Sequence, residues 1–409
     1  MKKNWIIGVD VAGEGICFQI QNQAGELLGE GSASKSLDGY LDFKRSCLSA
    51  GVQWSDTLVV IEATGRHHLP WCEHLIAEGA CVYALNPLLT KRLYSSKNAI
   101  RDNKDDRLDA HSLSEIGRVH CGELGRFAYR TQCAKIRLQA LVSTRKTIRK
   151  QCTNLLKSAG DMLMLVFPEA RSLKLDLKNA RMRALLSRAP TPTKIAALSE
   201  AELSRVFGKN AAQLKELAQR SFCPAAMAEA CAESLQAMLE AIDDLFRQIK
   251  NLDHMIEAHL RAQNDPQLKE IEKLIRSLPG FGEVTAPIIA AFLPEGFEQW
   301  GNRKQIVAKL QAYFGCDPRR RESGKVKGKV KISKRGIEIV RTALYQASFC
   351  SLGFDPGLRA YYDKKKKEGD HHKKAIVDVI RKNLRRMVAV LTAQKPFVPE
   401  DEYSQKSYA

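Results

Sequence analysis

The sequence predicts an α/β domain at the N-terminus, a helical coiled-coil middle region and a mainly α C-terminal domain. Strand and helix signals alternate through the first 125 residues, and strand signals then stop between about residues 130 and 262. A heptad pattern of apolar side chains runs from Leu235 to Ile256. The length of 409 residues allows two or three domains. We place the boundaries at 1–128, 129–265 with an insert near 160–228, 266–395, and a tail at 396–409.

The N-terminal pattern combines antiparallel strands with crossover units. The continuous apolar run Thr57–Ile61 predicts a central strand that is buried on both faces. The Gly13/Gly15 turn joins the first two strands. The other predicted strands are Trp5–Val9, Ile16–Ile20, Glu26–Ser32 and Cys81–Leu85. The predicted helices are Leu41–Leu48, His67–Ala77 and Asp106–Arg118, the last with Leu108, Leu113 and Ile116 on one side.

The middle region contains the most regular helical pattern. Apolar residues from Leu235 to Ile256 alternate in spacings of three and four, which predicts an a/d seam over three heptads. A coiled coil and the core helix of a bundle explain this seam equally well, and Ile136–Leu156 is the predicted partner helix. The seam is also a candidate dimer contact. Within the insert, Ser199 and Glu202 predict a capping box before a short helix.

Positive charge is concentrated near the C-terminus. The whole chain carries a formal charge of +19, and residues 301–395 alone contain 25 basic and 8 acidic residues. Residues 1–129, by contrast, contain 14 basic and 16 acidic residues. Such segregation favours a polyanion as partner, and nucleic acid over a membrane surface, because no basic amphipathic helix with an aromatic face is evident. Neither a signal peptide nor a bilayer-spanning apolar stretch is predicted.

The eleven cysteines are scattered, and none forms a C-x-x-C pair. This usage predicts reduced thiols in a cytosolic protein and disfavours a zinc site.

Four carboxylates are candidates for a metal site. Asp10 follows the first strand, Glu62 follows the buried strand, and Asp106 and Asp109 lie three apart on one face of a predicted helix. Shared carboxylates are the oxygen ligands that Mg²⁺ or Mn²⁺ prefers. The alternative is that the helical acids are first-turn charges, favoured by the helix dipole. The order of strands and acids resembles the ribonuclease-H-like fold of RuvC-type nucleases. The actin-like sugar kinases are a rival, but no second Gly-rich Asp loop follows residue 125.

Two further motifs lie in the C-terminal domain. Leu278–Gly282 followed by the apolar run Val284–Leu293 is typical of a helix-hairpin-helix element, in which backbone N–H groups approach a phosphate; a plain helix–helix turn is equally compatible. Ser323 follows three consecutive arginines, and a hydroxyl among guanidinium groups is a candidate nucleophile toward a phosphate. A solvated serine in a basic loop is the more ordinary interpretation.

These motifs occur together in one order. Ile61–Gly65, Asn103–Ala110, the Pro279–Gly282 turn and Pro318–Gly324 are followed by Ser333–Gly336 and Arg341–Tyr345. Together they resemble the DEDD transposases of the insertion-sequence-110 family, recombinases guided by a bridge RNA. The resemblance covers roughly residues 1–160 and 235–395.

The resemblance implies a set of roles and partners. The family's four acids fall on Asp10, Glu62, Asp106 and Asp109, which would bind magnesium or manganese, and its catalytic serine falls on Ser323. That serine would attack a DNA phosphate and form a covalent phosphoserine link. Implied partners are double-stranded DNA (element ends and target), a structured guide RNA and further copies of the chain in a dimer or tetramer; a cytoplasmic, nucleoid-associated prokaryotic protein is expected. The residues expected to contact nucleic acid are Gly280, Gly282, Arg319, Arg320, Arg321, Lys325, Lys327, Lys334 and Arg335.

Other functions are also compatible with the sequence. A metal-dependent junction nuclease of the RuvC type would use water as nucleophile and would tolerate loss of Ser323. A non-catalytic nucleic-acid-binding protein would need its carboxylates only for structure. A tyrosine recombinase would use Tyr361 or Tyr362, but would leave the acidic set unexplained.

Overall fold

The computed structural model describes most of the chain in two compact units, Met1–Cys133 and Ala134–Ala409. The described residues are 3–63, 66–85, 87, 90, 106–122, 124, 128–129, 133–173, 175–262, 265–294, 296–319, 322–323, 326–327, 331–334 and 336–399.

The first unit is built on a five-stranded mixed sheet with the order β3-β2-β1-β4-β5. The three consecutive strands β1, β2 and β3 pair antiparallel, whereas β4 and β5 pair parallel to β1 and β4 respectively. This arrangement fits the ribonuclease-H-like expectation, and the predicted strands are confirmed with small shifts of their ends. The strands are β1 Trp5–Val11, β2 Gly15–Asn22, β3 Leu27–Ser34, β4 Thr57–Glu62 and β5 Cys81–Leu85.

Helices cover both faces of this sheet, as the apolar β4 sequence predicts. The helices are α1 Leu37–Ser49, α2 Leu69–Ala77 and α3 Asp106–His120. Val59 and Ile61 pack in one core with residues of α1 and α2, and Val60 packs in another with Leu113 of α3. The expectation that Leu108 shares the buried side of α3 is wrong. Leu108 is 46% exposed, because five residues of α-helix rotate it away from Leu113.

Two long antiparallel helices dominate the second unit. They are α4 Cys133–Val166 and, after four shorter helices, α9 Ala225–Arg261. The backbone carbonyl of Ala134 meets His259 Nε2 at 2.7 Å, and further along the pair the guanidinium of Arg149 lies 5.8 Å from the ring centre of Phe246. These pairings run in opposite sequence directions, so the helices are antiparallel.

The predicted insert folds against the C-terminal half of α4 and the N-terminal half of α9. Its helices are α5 Ala180–Arg188, α6 Pro192–Ala197, α7 Glu200–Phe207 and α8 Ala211–Gln219. The capping box of Ser199 and Glu202 is present at the start of α7. Leu235 and Ile242 of the heptad seam are fully buried in a core with Leu186, Leu203 and other residues of the insert. The seam is therefore occupied within one chain, which removes these residues as a dimer contact.

The remainder of the second unit is helical around a separate core. Its helices are α10 Pro266–Arg276, α11 Thr285–Phe292, α12 Arg303–Tyr313, α13 Glu338–Phe354, α14 Pro356–Lys367 and α15 His372–Ala393. The buried Arg386 donates to Asp355 Oδ2 at 2.7 Å. Phe397, which follows α15, donates its backbone N–H to Ser277 Oγ at 2.9 Å. The residues from 400 onward lie outside the described part of the chain.

Four two-residue strands lie between α12 and α13. They are β6 Pro318–Arg319, β7 Glu322–Ser323, β8 Val326–Lys327 and β9 Lys331–Ile332. β6 pairs with β9, and β7 pairs with β8, both antiparallel. The β7–β8 pair thus lies between β6 and β9 along the chain, and we call the segment from Pro318 to Ile332 the serine hairpin.

No helix in the described ranges has both the length and the apolar composition that crossing a bilayer requires.

Candidate active site

The strand register brings Asp10 and Glu62 side by side. β1 and β4 are parallel neighbours, and the last registered pair between them is Val9 with Ile61. Asp10 and Glu62 are the next residue on each strand. Since side chains alternate between the two faces of a sheet, both carboxyl groups project to the same face as Gly8 and Val60, which is the face that α3 covers.

Helix α3 brings Asp109 and Asp106 toward this pair. It lies close to β1 at Gly8, where the backbone of Ala110 and Ser114 occupies the space that a side chain would fill. Asp109 directly precedes Ala110 and is therefore at the level of the Asp10 end of β1. Gly8 was not identified from the sequence as the point where α3 packs closely against β1. A glycine inside an otherwise apolar strand is the signal that could have revealed it.

The four acids form one electrostatic group. Burial raises the pKa of the half-buried Asp10, and the negative charges of Asp109 and then Asp106 raise it further. The pKa of Glu62 is raised in the same way, first by burial and then by the charges of Asp10 and Asp109. The strand register thus places Asp10 and Glu62 together at one edge of the sheet, Asp109 acts on both through its charge, and Asp106 acts on Asp10.

Glu62 has a further polar neighbour in Thr90. The Thr90 hydroxyl lies 3.4 Å from Glu62 Oε1 and 2.9 Å from the carbonyl oxygen of Pro87. Thr90 thus links this carboxylate to the chain that follows β5. The neighbouring acids Asp102 and Asp105 lie outside the described residues.

The chemistry of this group fits a divalent cation. Four carboxylates supply hard oxygen donors, and a bound cation would reduce the electrostatic repulsion between them. Among the described residues, no three His, Cys, Asp or Glu side chains are already gathered in the geometry of metal ligands. The side chains of Asp106 and Asp109 are exposed, so their rotamers are the ones that would have to adjust.

Ser323 lies on β7, one of the two inner strands of the serine hairpin. Its backbone pairs with that of Val326, and the adjacent Glu322 pairs with Lys327. Of the basic residues predicted to contact nucleic acid, Arg319 lies in β6, Lys327 in β8, and Lys334 directly after the hairpin with a positive φ of 55°. The others fall outside the described residues, namely Arg320, Arg321, Lys325 and Arg335.

The glycine turn between α10 and α11 has a clear packing role. Gly280 has a φ of 84°, and a Cβ atom there would lie 2.4 Å from the carbonyl oxygen of Ala347 in α13. Gly282 has open space around its α-carbon, but its N–H donates to Thr285 Oγ1 at 3.1 Å. The turn is therefore held against α13, and one of its N–H groups already has a partner within the chain.

Comparison with known proteins agrees with this arrangement. Residues 7–168 match the family model of the DEDD transposases of the IS110 group, and residues 272–363 match the model described as the transposase IS116/IS110/IS902 family. The first match contains the four acids of the sheet edge, and the second contains both the glycine turn and the serine hairpin. The two matches leave residues 169–271 between them uncovered, which include helices α5 to α9.

The similar individual proteins include two that are named after insertion elements and one that is named for inverting a gene. The mini-circle putative transposase for IS117 from Streptomyces coelicolor is 25% identical over 315 residues, 71% of each chain. An insertion element IS900 protein from Mycobacterium paratuberculosis is 27% identical over 152 residues, 37% of this chain and 36% of the relative. The pilin gene-inverting protein of Moraxella bovis is 27% identical over 151 residues, 36% of this chain and 45% of the relative. The last two alignments thus span less than half of each relative. The motifs and both family matches show that this chain belongs to the IS110 family of DEDD transposases.

Proposed function

We propose that this protein is a site-specific DNA recombinase that moves an insertion element by cutting and rejoining DNA. The observation that carries this proposal is the placement of Asp10 and Glu62 side by side at one edge of the sheet, beside the helix that carries Asp106 and Asp109. Burial raises the pKa values of Asp10 and Glu62, and the negative charge of Asp109 raises both further. Two relatives, named as a putative transposase and as a gene-inverting protein, support the same class of reaction.

The chemical step is a transesterification at a DNA phosphate. The hydroxyl oxygen of Ser323 attacks the phosphorus, a serine–phosphate bond forms, and the bond from phosphorus to the leaving deoxyribose oxygen breaks. The serine proton departs, and the leaving oxygen takes up a proton to become a free hydroxyl. The reverse attack by a hydroxyl of another DNA end rejoins the strand and frees the serine.

The four acids and the basic hairpin have separate roles in this step. Asp10, Glu62, Asp106 and Asp109 would hold Mg²⁺ or Mn²⁺, which when bound supplies charge neutralisation at the reacting phosphate. Arg319, Arg320 and Arg321 precede the serine and would bind phosphate oxygens through their guanidinium groups. Ser323 is distant from the acids in sequence, so the reaction requires that the two motifs meet within one chain or between two copies.

The finer parts of the proposal concern partners. The positively charged segment 301–395 would bind the phosphate backbone of double-stranded DNA at the element ends and at the target. A structured bridge RNA would supply sequence recognition, which leaves the protein to recognise shape and backbone. The turn of Gly280 and Gly282, besides packing against α13, would act as a helix-hairpin-helix element and add contacts to the DNA backbone. A homo-oligomer, dimer or tetramer, in the cytoplasm of a prokaryotic cell and associated with the nucleoid, completes the proposal.

The decisive experiment is detection of the covalent intermediate. The full chain is incubated with Mg²⁺, with DNA that contains the genomic sequence on both sides of its gene, and with RNA transcribed from the adjacent non-coding region. Wild-type protein is expected to form an adduct that survives denaturing gel electrophoresis. Ser323→Ala is expected to abolish the adduct while DNA binding persists, and Ser158→Ala, which removes an exposed hydroxyl on α4, is the matched control.

Each of the other outcomes supports a different function for this protein. An undiminished adduct from Ser323→Ala contradicts the serine role. Cleaved DNA without any adduct, in both wild type and Ser323→Ala, identifies a nuclease that uses water. Binding without any divalent-metal-dependent cleavage, unaffected by Asp10→Asn, identifies a non-catalytic binding protein.

A further inference from the structure

The serine hairpin is closed at its base by a pair of neighbouring residues. The backbone N–H of Ser333, just after the hairpin, donates to the carbonyl oxygen of Asp317, just before it, at 2.9 Å. The hydroxyl of Ser333 also donates to Asp317 Oδ1. The two ends of the hairpin are therefore joined through both main chain and side chain.

The chain after the hairpin is fixed against the end of α12. The N–H of Lys334, which has a left-handed φ of 55°, donates to the carbonyl oxygen of Gly315 at 3.1 Å. A Cβ atom on Gly336 would lie 2.2 Å from the carbonyl oxygen of Tyr313. Only a glycine allows the two segments to approach so closely, since a side chain would force them apart.

Arg341 joins this assembly to helix α13. Its side chain lies in the first turns of α13, and its Nη1 donates to the carbonyl oxygen of Gly336 at 3.1 Å and to that of Phe314 at 3.4 Å. One guanidinium nitrogen thus bridges the segment before the hairpin and the segment after it. Carbonyl oxygens near the end of a helix and in a loop gain a charge-assisted donor in this way.

We propose that Arg341 is a positioning residue for Ser323, acting through a clasp formed by Asp317, Ser333, Gly336 and Arg341. This inference rests on the proposed function, because it assigns the role of the clasp in the serine chemistry. Ser323 lies six residues beyond Asp317, a distance of up to roughly 20 Å along an extended strand. A tilt of ~10° at the base would therefore move the serine by roughly 3 Å. A misplacement of about 1 Å can slow a reaction about 100-fold, so the base of the hairpin must be rigid.

The experiment compares Arg341→Gln and Arg341→Lys with wild type in the adduct assay, under single-turnover conditions and at saturating DNA. Arg341→Gln is expected to slow adduct formation about 100-fold, with the Kd for DNA unchanged. Lysine keeps the charge and a nitrogen donor but lacks the rigid planar guanidinium group, so Arg341→Lys is expected to be intermediate. Arg261→Gln, which removes an exposed arginine of α9 that pairs with Glu257 and lies outside the basic segment 301–395, is the control for loss of charge.

A second variant protects the test against simple misfolding. Ser333→Ala removes only the hydroxyl bond to Asp317, and it is expected to slow adduct formation with an unchanged unfolding temperature. Cleavage of the native protein by trypsin after Lys327 and Lys331 is expected to be faster in both Arg341→Gln and Ser333→Ala, since the hairpin base is looser.

The failures are distinguishable because Ser323→Ala is assayed in parallel. If Ser323→Ala forms no adduct while Arg341→Gln and Ser333→Ala react at the wild-type rate, the positioning role is wrong and the proposed function stands. If the defect of Arg341→Gln is a raised Kd with a normal rate at saturation, Arg341 binds phosphate directly, and the positioning role is again wrong. If Ser323→Ala itself forms adducts, the proposed function fails and this inference fails with it.

Discussion

Gly8 of β1 and Ala110 of α3 approach so closely that a Cβ atom on Gly8 would lie 2.0 Å from the carbonyl oxygen of Ala110. The same Cβ atom would lie 2.4 Å from the backbone nitrogen of Ser114. Backbone atoms of a helix cannot move aside as a flexible side chain can. The distance between the sheet and α3, and with it the distance from Asp10 to Asp109, therefore depends on the absence of a side chain at Gly8.

We expect Gly8→Ala to damage the acidic site more than the fold. The added methyl group must push α3 away from β1, which costs about 3 kcal/mol of folding free energy. Asp109 moves with the helix, so DNA cleavage is expected to fall by about 100-fold even at temperatures where the protein remains folded. Thermal unfolding and DNA cleavage, measured on the same preparation, check this expectation.

The matched control for that variant is Gly13→Ala. Nothing lies within 4 Å of a Cβ atom on Gly13, which is in the turn that follows the same strand. This variant is expected to keep wild-type stability and cleavage. Wild-type cleavage by Gly8→Ala would show that the close approach does not matter for the site.

Divalent cations are expected to stabilise the first unit through the four acids. Wild-type protein should unfold at a higher temperature with Mn²⁺ than without it. Burial and then the charges of neighbouring acids raise the pKa values of Asp10 and Glu62, and a bound cation relieves this repulsion. Asp10→Asn removes one of the repelling charges. It is expected to raise the unfolding temperature without metal and to reduce the further rise that Mn²⁺ produces. An equal Mn²⁺ shift in both proteins would place the cation elsewhere.

Glu272 of α10 provides a test of pH dependence. Burial raises its pKa, despite the partner Arg276, whose Nε donates to Glu272 Oε1 at 2.7 Å. A carboxyl group whose folded-state pKa is raised favours folding when protonated, and this contribution is lost as pH rises through the folded pKa. Glu272→Gln is therefore expected to unfold at a higher temperature than wild type at pH 7, with the difference shrinking toward pH 4. The control is Glu270→Gln, at a partly exposed position of the same helix, and a difference that grows toward low pH would contradict this expectation.

Arg183 is expected to be essential for the core that the insert forms with α4 and α9. It is 3% exposed, donates to the carbonyl oxygens of Leu177 and Lys178 at 2.8 and 2.9 Å, and pairs with Asp243 of α9. Arg183→Ala leaves these acceptors without a donor, which costs about 3 kcal/mol. Hydrogen exchange of the amides of α5 measures this loss.

The comparison for Arg183 is Arg188 on the same helix, whose ion pair with Glu202 is largely exposed. Because solvent screens such a pair, Arg188→Ala is expected to accelerate exchange far less. Equal acceleration by the two variants would show that burial does not set the contribution of Arg183.

The sheet could be predicted from sequence because its signals are local. The apolar run of β4 and the alternation of β1 and β2 determine which residues are strands, and the parallel register of β1 and β4 then brings Asp10 and Glu62 together without further information. Helix α3 was also predictable in its bounds. The exposure of Leu108 was not foreseen, because a hydrophobic residue at the start of a helix need not share the buried face.

Other features depend on contacts between distant residues. The seam from Leu235 to Ile256 has the same spacing in a coiled-coil dimer and in a single-chain core, and only the position of the insert decides between them. Likewise, the sequence motif of Gly280 is compatible with phosphate binding, whereas its approach to Ala347 reveals a packing function. The role of Arg341 depends on two carbonyl oxygens that no sequence pattern identifies.

The pair formed by α4 and α9 passes through two separate cores in turn. Leu138 and Ile256 belong to the core of the C-terminal helices, whereas Leu163 and Leu235 belong to the core of the insert. Because the two cores have no buried residue in common, the outer one can be lengthened, shortened or replaced without repacking the inner one. Related transposases can therefore differ in the insert that forms the outer core while the residues that cut DNA stay the same.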